Sequence, residues 1–184
     1  MIGREIVVLV ETTSTNDSIL QRATLDPLEG LVIFAERQSA GRGQRGNDWE
    51  SAARKGLWFS ILLRPKIAIR ESGRLTEWAT AGIAHTIAKE FALSATIKPP
   101  NDVYIDEKKI AGVLVEMRAQ QNAPHLAIVG IGINLNHRPG DFSKKLRAHA
   151  ASLAMVLDRQ VDRQRFAIAL LRNLDRTYLE TFGS

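Results

Sequence analysis

The stretch that decides the fold class covers residues 41–63 and reads GRGQRGNDWESAARKGLWFSILL. Gly41, Gly43 and Gly46 match the spacing G-x-G-x-x-G, which in dinucleotide-binding proteins opens a helix directly after a strand. Here only ten residues separate Gly46 from the apolar, strand-like run 57–63, and they show no helical face. Without a helix N-terminus a pyrophosphate loses its main binding site, so this stretch argues against a doubly wound dinucleotide domain.

The glycine-rich segment is instead interpreted as a ligand-binding loop. Glycines allow the backbone to approach a ligand closely, and Arg42 and Arg45 can pair with carboxylate or phosphate groups. The indole of Trp49 can cover an apolar or heteroaromatic face of a ligand. The alternative is an exposed basic loop whose tryptophan packs on the sheet edge, and the segment alone leaves both interpretations open.

Outward from this stretch, apolar runs of strand length alternate irregularly with helical patterns. Strands are predicted over residues 6–10, 31–35, 57–63, 96–97, 103–105, 110–116 and 126–133, with 6–10 and 31–35 buried. Helices are predicted over 17–23, where Asp26-Pro27 prevents continuation, and over 71–91. A last helix is predicted after its cap Asp162, with one apolar face formed by Phe166, Leu170, Leu174 and Tyr178. This order, with a hairpin turned at 106–108, predicts an α/β protein of the α+β type, a mixed β-sheet flanked by helices.

The composition is that of a globular protein with one domain over residues 1–184. The chain is 45% hydrophobic, 24% charged and free of cysteine, which excludes disulfides, thiolate metal sites and a cysteine nucleophile. It has neither a signal peptide nor an apolar run of roughly 18 residues, so we expect a cytoplasmic protein without a membrane partner. The net charge of +5 indicates either a solvated basic surface or attraction of an anionic partner, such as a nucleotide or an acidic protein. Nucleic acid is not the expected partner, because basic helices, zinc-finger spacings and aromatic-rich binding strands are missing.

A second polar cluster, Lys98-Pro99-Pro100-Asn101-Asp102, lies eleven residues before Lys109. The hairpin between them would return Lys109 to the neighbourhood of Asn101 and Asp102. These residue types suit ATP with Mg²⁺, because lysine can pair with phosphate and a carboxylate can act through the metal. The alternative is a capped turn with an exposed ion pair.

A third cluster, Gly130-Ile131-Gly132-Ile133-Asn134, places glycines in an apolar strand. Glycine in a strand often marks the close approach of a ligand or of another backbone. Asn134 could then hydrogen-bond a base or ligand, or it could simply end the strand as a polar cap.

Taken together, these clusters resemble the catalytic domain of biotin–protein ligases. The matching stretches, in order, are Ser14-Thr15-Asn16, Gln38-Ser39-Ala40-Gly41-Arg42-Gly43-Gln44-Arg45-Gly46-Asn47-Asp48-Trp49, Lys98-Pro99-Pro100-Asn101-Asp102, Lys109-Ile110-Ala111-Gly112 and Gly130-Ile131-Gly132-Ile133-Asn134. The resemblance implies a sheet with helices related to class II aminoacyl-tRNA synthetases. It also implies ATP-dependent activation of biotin to biotinyl-5'-AMP, followed by transfer of biotin to a lysine of a biotin carboxyl carrier protein, with ATP, biotin and Mg²⁺ bound.

The resemblance also implies roles for individual residues. The biotin head group is expected at Ser14, Thr15, Asn16 and Gln38, and the valeryl chain at Gly112 and Gly132. The reacting carboxylate and phosphate are expected at Arg42 and Lys109, and Trp49 closes over the intermediate as part of a loop that orders on binding. Asn101, Asp102 and Lys98 are expected near the phosphate and the acceptor amine, with Mg²⁺ held through Asp102. Asn134 is expected to contact adenine. The loop around the intermediate is expected to include Gly41, Gly43, Gln44 and Arg45.

Some features depart from the family pattern. Pro99 stands where relatives often have tryptophan, and Gln44 replaces an arginine that in some members helps to retain the adenylate, so retention here is expected to be weaker or to rely on Arg42 and Arg45. No N-terminal helix-turn-helix and no C-terminal β-barrel are evident, so we expect a monofunctional ligase rather than a repressor. The alternatives are a lipoate or octanoate ligase or transferase of the same fold, and a non-catalytic biotin-binding protein. A homodimer is also left open, since dimers are common among relatives.

Overall fold

The chain folds around one sheet, which a computed structural model describes for residues 1–23, 29–121 and 123–183. The strands are β1 (Glu5–Thr12), β2 (Leu31–Gln38), β3 (Gly56–Leu63), β4 (Thr96–Lys98), β5 (Asp102–Ile105), β6 (Lys108–Arg118) and β7 (Leu126–Asn134), and the helices are α1 (Thr15–Ala23), α2 (Gly73–Phe91), α3 (Leu153–Leu157) and α4 (Arg163–Phe182). The strand order is β1-β2-β3-β7-β6-β5-β4. β1 pairs with β2 in parallel and the other pairs are antiparallel, which confirms the predicted mixed sheet.

One face of the sheet is covered by the two long helices, α2 and α4. Their apolar sides meet alternate residues of the strands, such as Phe59 and Ile61 of β3 and Val129 and Ile131 of β7, in the main core. The helices also contact each other closely, because a Cβ atom at Gly82 in α2 would lie 2.6 Å from Cδ2 of Leu174 in α4. Burial of this apolar surface is the main source of stability in the fold.

The opposite face of the sheet carries the short helix α1. Ile19 of α1 packs in a small second cluster with Leu31, Ile33, Leu62, Leu126 and Ile128. α1 has nine residues and contacts β2, β3 and β7. Polar residues and a cavity occupy part of the same face.

The helix boundaries agree with the prediction at the Asp162 cap and at the ends of α1 and α2, and they differ at the starts of these two helices, since α1 begins at Thr15 rather than at 17. Asp162 caps α4 as predicted, since its Oδ1 accepts a hydrogen bond from the Arg165 amide at 3.0 Å. α2 begins at Gly73 rather than at 71, because residues 69–71 form a 3₁₀ turn. The five-residue α3 was not predicted, since it is too short to show periodicity, and the predicted break at Asp26-Pro27 lies outside the described residues. Among the described helices, none is long and apolar enough to cross a membrane.

The first strand forms as predicted, but the expectation that it is buried was wrong. Ile6, Val8 and Val10 are 51%, 64% and 84% exposed. β1 is the edge of the sheet, and only the other side of the strand, with Val7 and Leu9, packs against the α1 cluster. An apolar run predicts a strand, but its position in the sheet decides whether both sides are covered.

Candidate active site

Most of the predicted site residues line one cavity of about 240 Å³, at the end of the sheet where β1 and β2 finish and β3 begins. Those in its wall are Ser14, Thr15, Asn16, Gln38, Arg42, Gly43, Gln44, Arg45, Trp49, Asn101, Asp102, Lys109, Gly112 and Gly132. The wall also contains residues to which no role had been assigned, namely Asn47, Asp48, Pro100, Val113, Leu114, Gly130 and Ile131. Stretches far apart in the chain thus meet at one point.

Three predicted residues lie outside the wall of this cavity. Gly41 is buried beneath the loop, where its carbonyl accepts a hydrogen bond from the Trp49 amide at 2.9 Å. The ammonium of Lys98 lies 2.7 Å from a carboxylate oxygen of Glu107. Asn134 is buried at the end of β7. Their expected contacts with ligand therefore remain predictions.

One wall of the cavity is a polar network between α1, β2 and β3. Oε1 of Gln38 accepts a hydrogen bond from the Thr15 amide at 2.8 Å, and Nε2 of Gln38 donates to Ser51 Oγ at 3.0 Å. The hydroxyl of Ser60 lies 2.7 Å from Oγ1 of Thr15 and 2.6 Å from Oδ1 of Asn16. Because Thr15, Asn16 and Ser60 are buried, Gln38 and Ser51 are half-buried and all are bonded to one another, their orientations are set before a ligand arrives.

The guanidinium of Arg42 enters the cavity between two carboxylates. Its two terminal nitrogens each lie 2.7 Å from a separate oxygen of Asp17, and one of them lies 3.3 Å from Oε2 of Glu116. The hydrogen bonds that Arg42 donates to Asp17 hold the pKa of Asp17 below its usual value and raise the pKa of Arg42. The cation that was predicted to meet substrate is thus fixed and charged.

A second cation reaches the cavity from the hairpin of β5 and β6. The ammonium of Lys109 lies 2.7 Å from Oδ1 of Asp102, as the predicted return of the hairpin requires. Asn101 stands beside this pair with its Nδ2 donating to the carbonyl of Val113 at 3.0 Å. The backbone of Lys109 is hydrogen-bonded to a distant part of the chain, because the Ala151 amide donates to the Lys109 carbonyl. The clustering of these three side chains confirms the geometry expected from their spacing.

Trp49 fills the floor of the cavity. A Cβ atom at Gly132 would lie 2.5 Å from the indole, and one at Gly112 would lie 2.9 Å from it. The ring meets Trp58 edge-on at 6.1 Å between centroids, and the Lys109 ammonium lies 5.2 Å from its centroid. The strand glycines thus make room for this indole, whose Nε1 has no hydrogen-bond partner in the described part of the chain.

The glycine-rich segment folds back on itself. The Gly43 amide donates to the Asn47 carbonyl at 2.7 Å around a 3₁₀ turn at Gln44–Gly46, in which Arg45 has a φ of 58°. In the described chain the first α-helix after the glycines is α2, which begins only after β3. The structure therefore confirms that these glycines open no helix.

The sequence analysis missed Ser60, Asp17 and Glu116, which hydrogen-bond to residues of the cavity wall. Ser60 could have been noticed, because it is a polar residue in an otherwise apolar strand. Asp17 and Glu116 carry no such signal, since they meet Arg42 across 25 and 74 residues of chain. Contacts of that range follow only from the fold.

A larger cavity, of about 630 Å³, contains none of the predicted site residues. Its wall includes Arg54, Lys55, Arg138, Arg159 and Arg163. These cations are partly or fully exposed, as expected of the solvated basic surface that was one interpretation of the net charge.

Comparison with known proteins shows which family the chain resembles. The model of the biotin/lipoate A/B protein ligase family matches residues 8–134. The chain is 33% identical over 163 residues to the bifunctional ligase/repressor BirA of Bacillus subtilis, covering 89% of this chain and 50% of that protein. It is 30% identical over 182 residues to the biotin–[acetyl-CoA-carboxylase] ligase of Mycobacterium tuberculosis, covering 96% of this chain and 65% of that protein.

Solved structures give the same result. The biotin protein ligase of Aquifex aeolicus in complex with biotin and ATP matches with a TM-score of 0.81 and 28% identity, covering 97% of this chain and 73% of that one. The Bacillus and Mycobacterium relatives are longer, and this chain spans half to two thirds of their length. Since the family model covers more than half of the chain and the fold agrees, the chain belongs to the biotin/lipoate A/B protein ligase family.

Proposed function

We propose that this chain activates biotin with ATP to biotinyl-5'-AMP and transfers biotin to a lysine of a biotin carboxyl carrier protein. The observation that carries the proposal is the convergence of Arg42 and Lys109 on one cavity beside a preformed polar wall. Relatives named as biotin ligases, and the Aquifex enzyme in complex with biotin and ATP, support it.

The reaction requires no nucleophile from the protein. An oxygen of the biotin carboxylate attacks the α-phosphorus and pyrophosphate leaves, and then the acceptor amine attacks the acyl carbon and AMP leaves. The protein has to bring two anions together and offset the charge on the phosphate. The absence of cysteine from the chain is consistent with this chemistry.

Arg42 and Lys109 are the groups we assign to the first step. Arginine can hold a carboxylate or phosphate through two parallel hydrogen bonds, whereas the lysine ammonium acts as a mobile point charge. In the structure both cations are paired with carboxylates of the chain, Asp17 and Asp102, so each is oriented before substrate binds.

Asn101 and Asp102 are assigned to the region of the phosphates and the acceptor amine. Within the described residues, no group of three acidic, histidine or cysteine side chains could hold a metal ion. A single carboxylate nevertheless fits Mg²⁺ carried by a nucleotide, since such sites commonly use one or two carboxylates with phosphates and water. When bound, Mg²⁺ would neutralise phosphate charge, with Asp102 as its protein ligand.

The polar wall supports biotin over the lipoate or octanoate of the alternative function. The ureido ring of biotin offers a carbonyl acceptor and N–H donors, whereas the far ends of the other two acids carry no such groups. The buried Ser14, Thr15 and Asn16 and the half-buried Gln38 provide matching hydroxyl and amide groups in the wall of the cavity. An apolar acid would offer these side chains no hydrogen-bonding group, whereas the ureido ring can add hydrogen bonds to those already formed within the wall.

The small size of the cavity supports movement of the loop over residues 41–49. Pockets for single drug-sized ligands are typically about 300–1,000 Å³. The volume of about 240 Å³, with Trp49 packed on the floor, is too small for biotin and ATP together. We therefore expect the loop to open for entry and to close over the ligand.

The proposal is tested by incubating the chain with biotin, Mg-ATP and a biotin carrier domain, followed by mass measurement of the carrier. We expect an increase by one biotinyl group that depends on ATP and disappears when the acceptor lysine of the carrier is replaced by arginine. Lipoate and octanoate are supplied in parallel reactions with their own carrier domain.

An increase with lipoate or octanoate, and none with biotin, would support the alternative function. Tight binding of biotin without any pyrophosphate release would indicate a non-catalytic binding protein. Either result would contradict the proposal.

A further inference from the structure

Arg42 is held by carboxylates from two different elements. Asp17 lies in the first turn of α1, directly after the polar stretch 14–16, and Glu116 lies in β6. Arg42 itself follows β2 in the loop that covers the cavity. The orientation of this guanidinium is therefore set by groups that belong to neither the loop nor its flanking strands.

The two carboxylates make unequal contacts. Asp17 engages both terminal nitrogens of Arg42 through its two oxygens, each at 2.7 Å. Glu116 makes a single contact, in which its Oε2 lies 3.3 Å from one terminal nitrogen of Arg42. The same Oε2 accepts a shorter hydrogen bond, of 2.6 Å, from Nδ2 of Asn16. A bidentate carboxylate fixes the plane and direction of a guanidinium, which a single long contact does not.

The bidentate contact leaves part of the guanidinium available for a ligand. Arginine has five N–H groups, and Asp17 occupies one on each terminal nitrogen. Within the described part of the chain, Nε of Arg42 is not among the donors of a hydrogen bond. An anion in the cavity can therefore bind Arg42 without displacing Asp17.

We propose that Asp17 is a positioning residue for adenylation, which holds the Arg42 guanidinium at the angle from which it meets the substrate carboxylate and the α-phosphate. This inference rests on the proposed function. Asp17 acts through Arg42 and does not itself line the cavity.

If the pair had a purely structural role, its loss would lower the melting temperature and leave the chemical step unchanged. The two side chains are 40% and 35% exposed, and exposed ion pairs contribute little to stability. Loss of the pair should therefore leave the melting temperature nearly unchanged, whereas a misdirected Arg42 should slow the chemical step. The two roles are separable by measuring both quantities.

The test compares Asp17→Asn with Glu11→Gln in biotin-dependent ATP–pyrophosphate exchange. Glu11 is a matched control, because it forms an exposed ion pair with Arg37 in the neighbouring strand, away from the cavity. We expect Asp17→Asn to lower kcat by about tenfold or more, with a smaller change in KM, because the interaction is strongest in the transition state. Glu11→Gln should change kcat by less than about twofold, and both variants should keep the wild-type melting temperature.

A double-mutant cycle with Arg42→Lys shows whether Asp17 acts through Arg42. In the Arg42→Lys background, Asp17→Asn should lower kcat by less than about twofold further, because lysine cannot form the bidentate pair. An equal loss in both backgrounds, or an Asp17→Asn variant as active as Glu11→Gln, would overturn this inference alone. Absence of exchange in the wild-type chain would overturn the proposed function and this inference with it.

Discussion

The two faces of the sheet use the same strands for different purposes. On the α2 and α4 face, β7 presents Val129 and Ile133 to a continuous apolar core, whereas on the α1 face Gly130 and Gly132 line the cavity. The same alternation in β3 places Phe59 in the core and Ser60 in the polar network. Successive side chains of a strand point to opposite faces, so one run of residues can build a core and a site at once.

The difference between the faces predicts that stability and activity are separable. Substitutions on the helix-covered face remove apolar contacts and should act on the free energy of unfolding. Substitutions on the α1 face change charges and small residues around a cavity, and should act on catalysis with little effect on folding.

The largest effect is expected on the site face, for Lys109→Ala. We expect adenylate formation to fall by about a thousandfold, equal to about 4 kcal/mol, because the variant removes a cation from beside the reacting phosphate. Pyrophosphate exchange measures the loss, and circular dichroism should show an unchanged fold. Lys108→Ala is the matched control, since Lys108 lies in the same strand but outside the cavity wall. Near wild-type exchange in Lys109→Ala would contradict the assignment.

The core face should respond to Leu174→Ala with a loss of stability. The variant leaves a cavity between α2 and α4 and should lower the free energy of unfolding by about 3–4 kcal/mol. Urea unfolding measures this loss, and the activity of the remaining folded molecules should match that of the wild type. A specific loss of activity in the folded fraction would break the separation between the faces.

His137, in the wall of the larger second cavity, should make stability depend on pH. This ring is buried, stacks on Phe142 and meets Trp58 edge-on, and burial lowers its pKa to about 4. Above pH 6.5 the ring is neutral in both the folded and the unfolded state. Between pH 6.5 and 4 only the unfolded chain takes up the proton, so stability should fall by about 3 kcal/mol over this range.

The variant His137→Phe keeps an aromatic ring at this position and removes the titrating group. Urea unfolding at pH 7 and pH 4.5 should show a smaller decrease in stability for this variant than for the wild type. An equal decrease in both proteins would assign the pH dependence to other groups, such as Asp141 nearby.

The smallest effect is expected for Gln44→Arg in the loop above the cavity. Gln44 lines the cavity, so an arginine there can add a charge-assisted hydrogen bond to the bound adenylate and slow its release by about tenfold. Release is followed by separating protein-bound from free biotinyl-5'-AMP over time. Asn47→Arg adds the same charge to the same loop as a control, and equal retention in both variants would show that charge alone is responsible.

The sequence alone was informative where a pattern is local. The strands of the sheet, the two long helices and the Asp162 cap follow from periodicity and capping chemistry. The meeting of Lys109 with Asp102 was predictable because a hairpin is a short-range structure. The assignment to biotin ligases rested on five short stretches in order, which the comparisons support at the level of the family.

What only the tertiary structure decided concerns contacts between distant segments. Exposure of Val8 depends on β1 being the sheet edge, and the pairing of Arg42 with Asp17 and Glu116 depends on three elements meeting. The strand glycines were predicted to approach a ligand, but in the folded chain the indole of Trp49 fills the open sides of Gly112 and Gly132, and the side chain of Asn16 fills that of Gly130. A residue's type and spacing determine its local conformation and its chemistry, whereas its neighbours follow from how the whole chain packs.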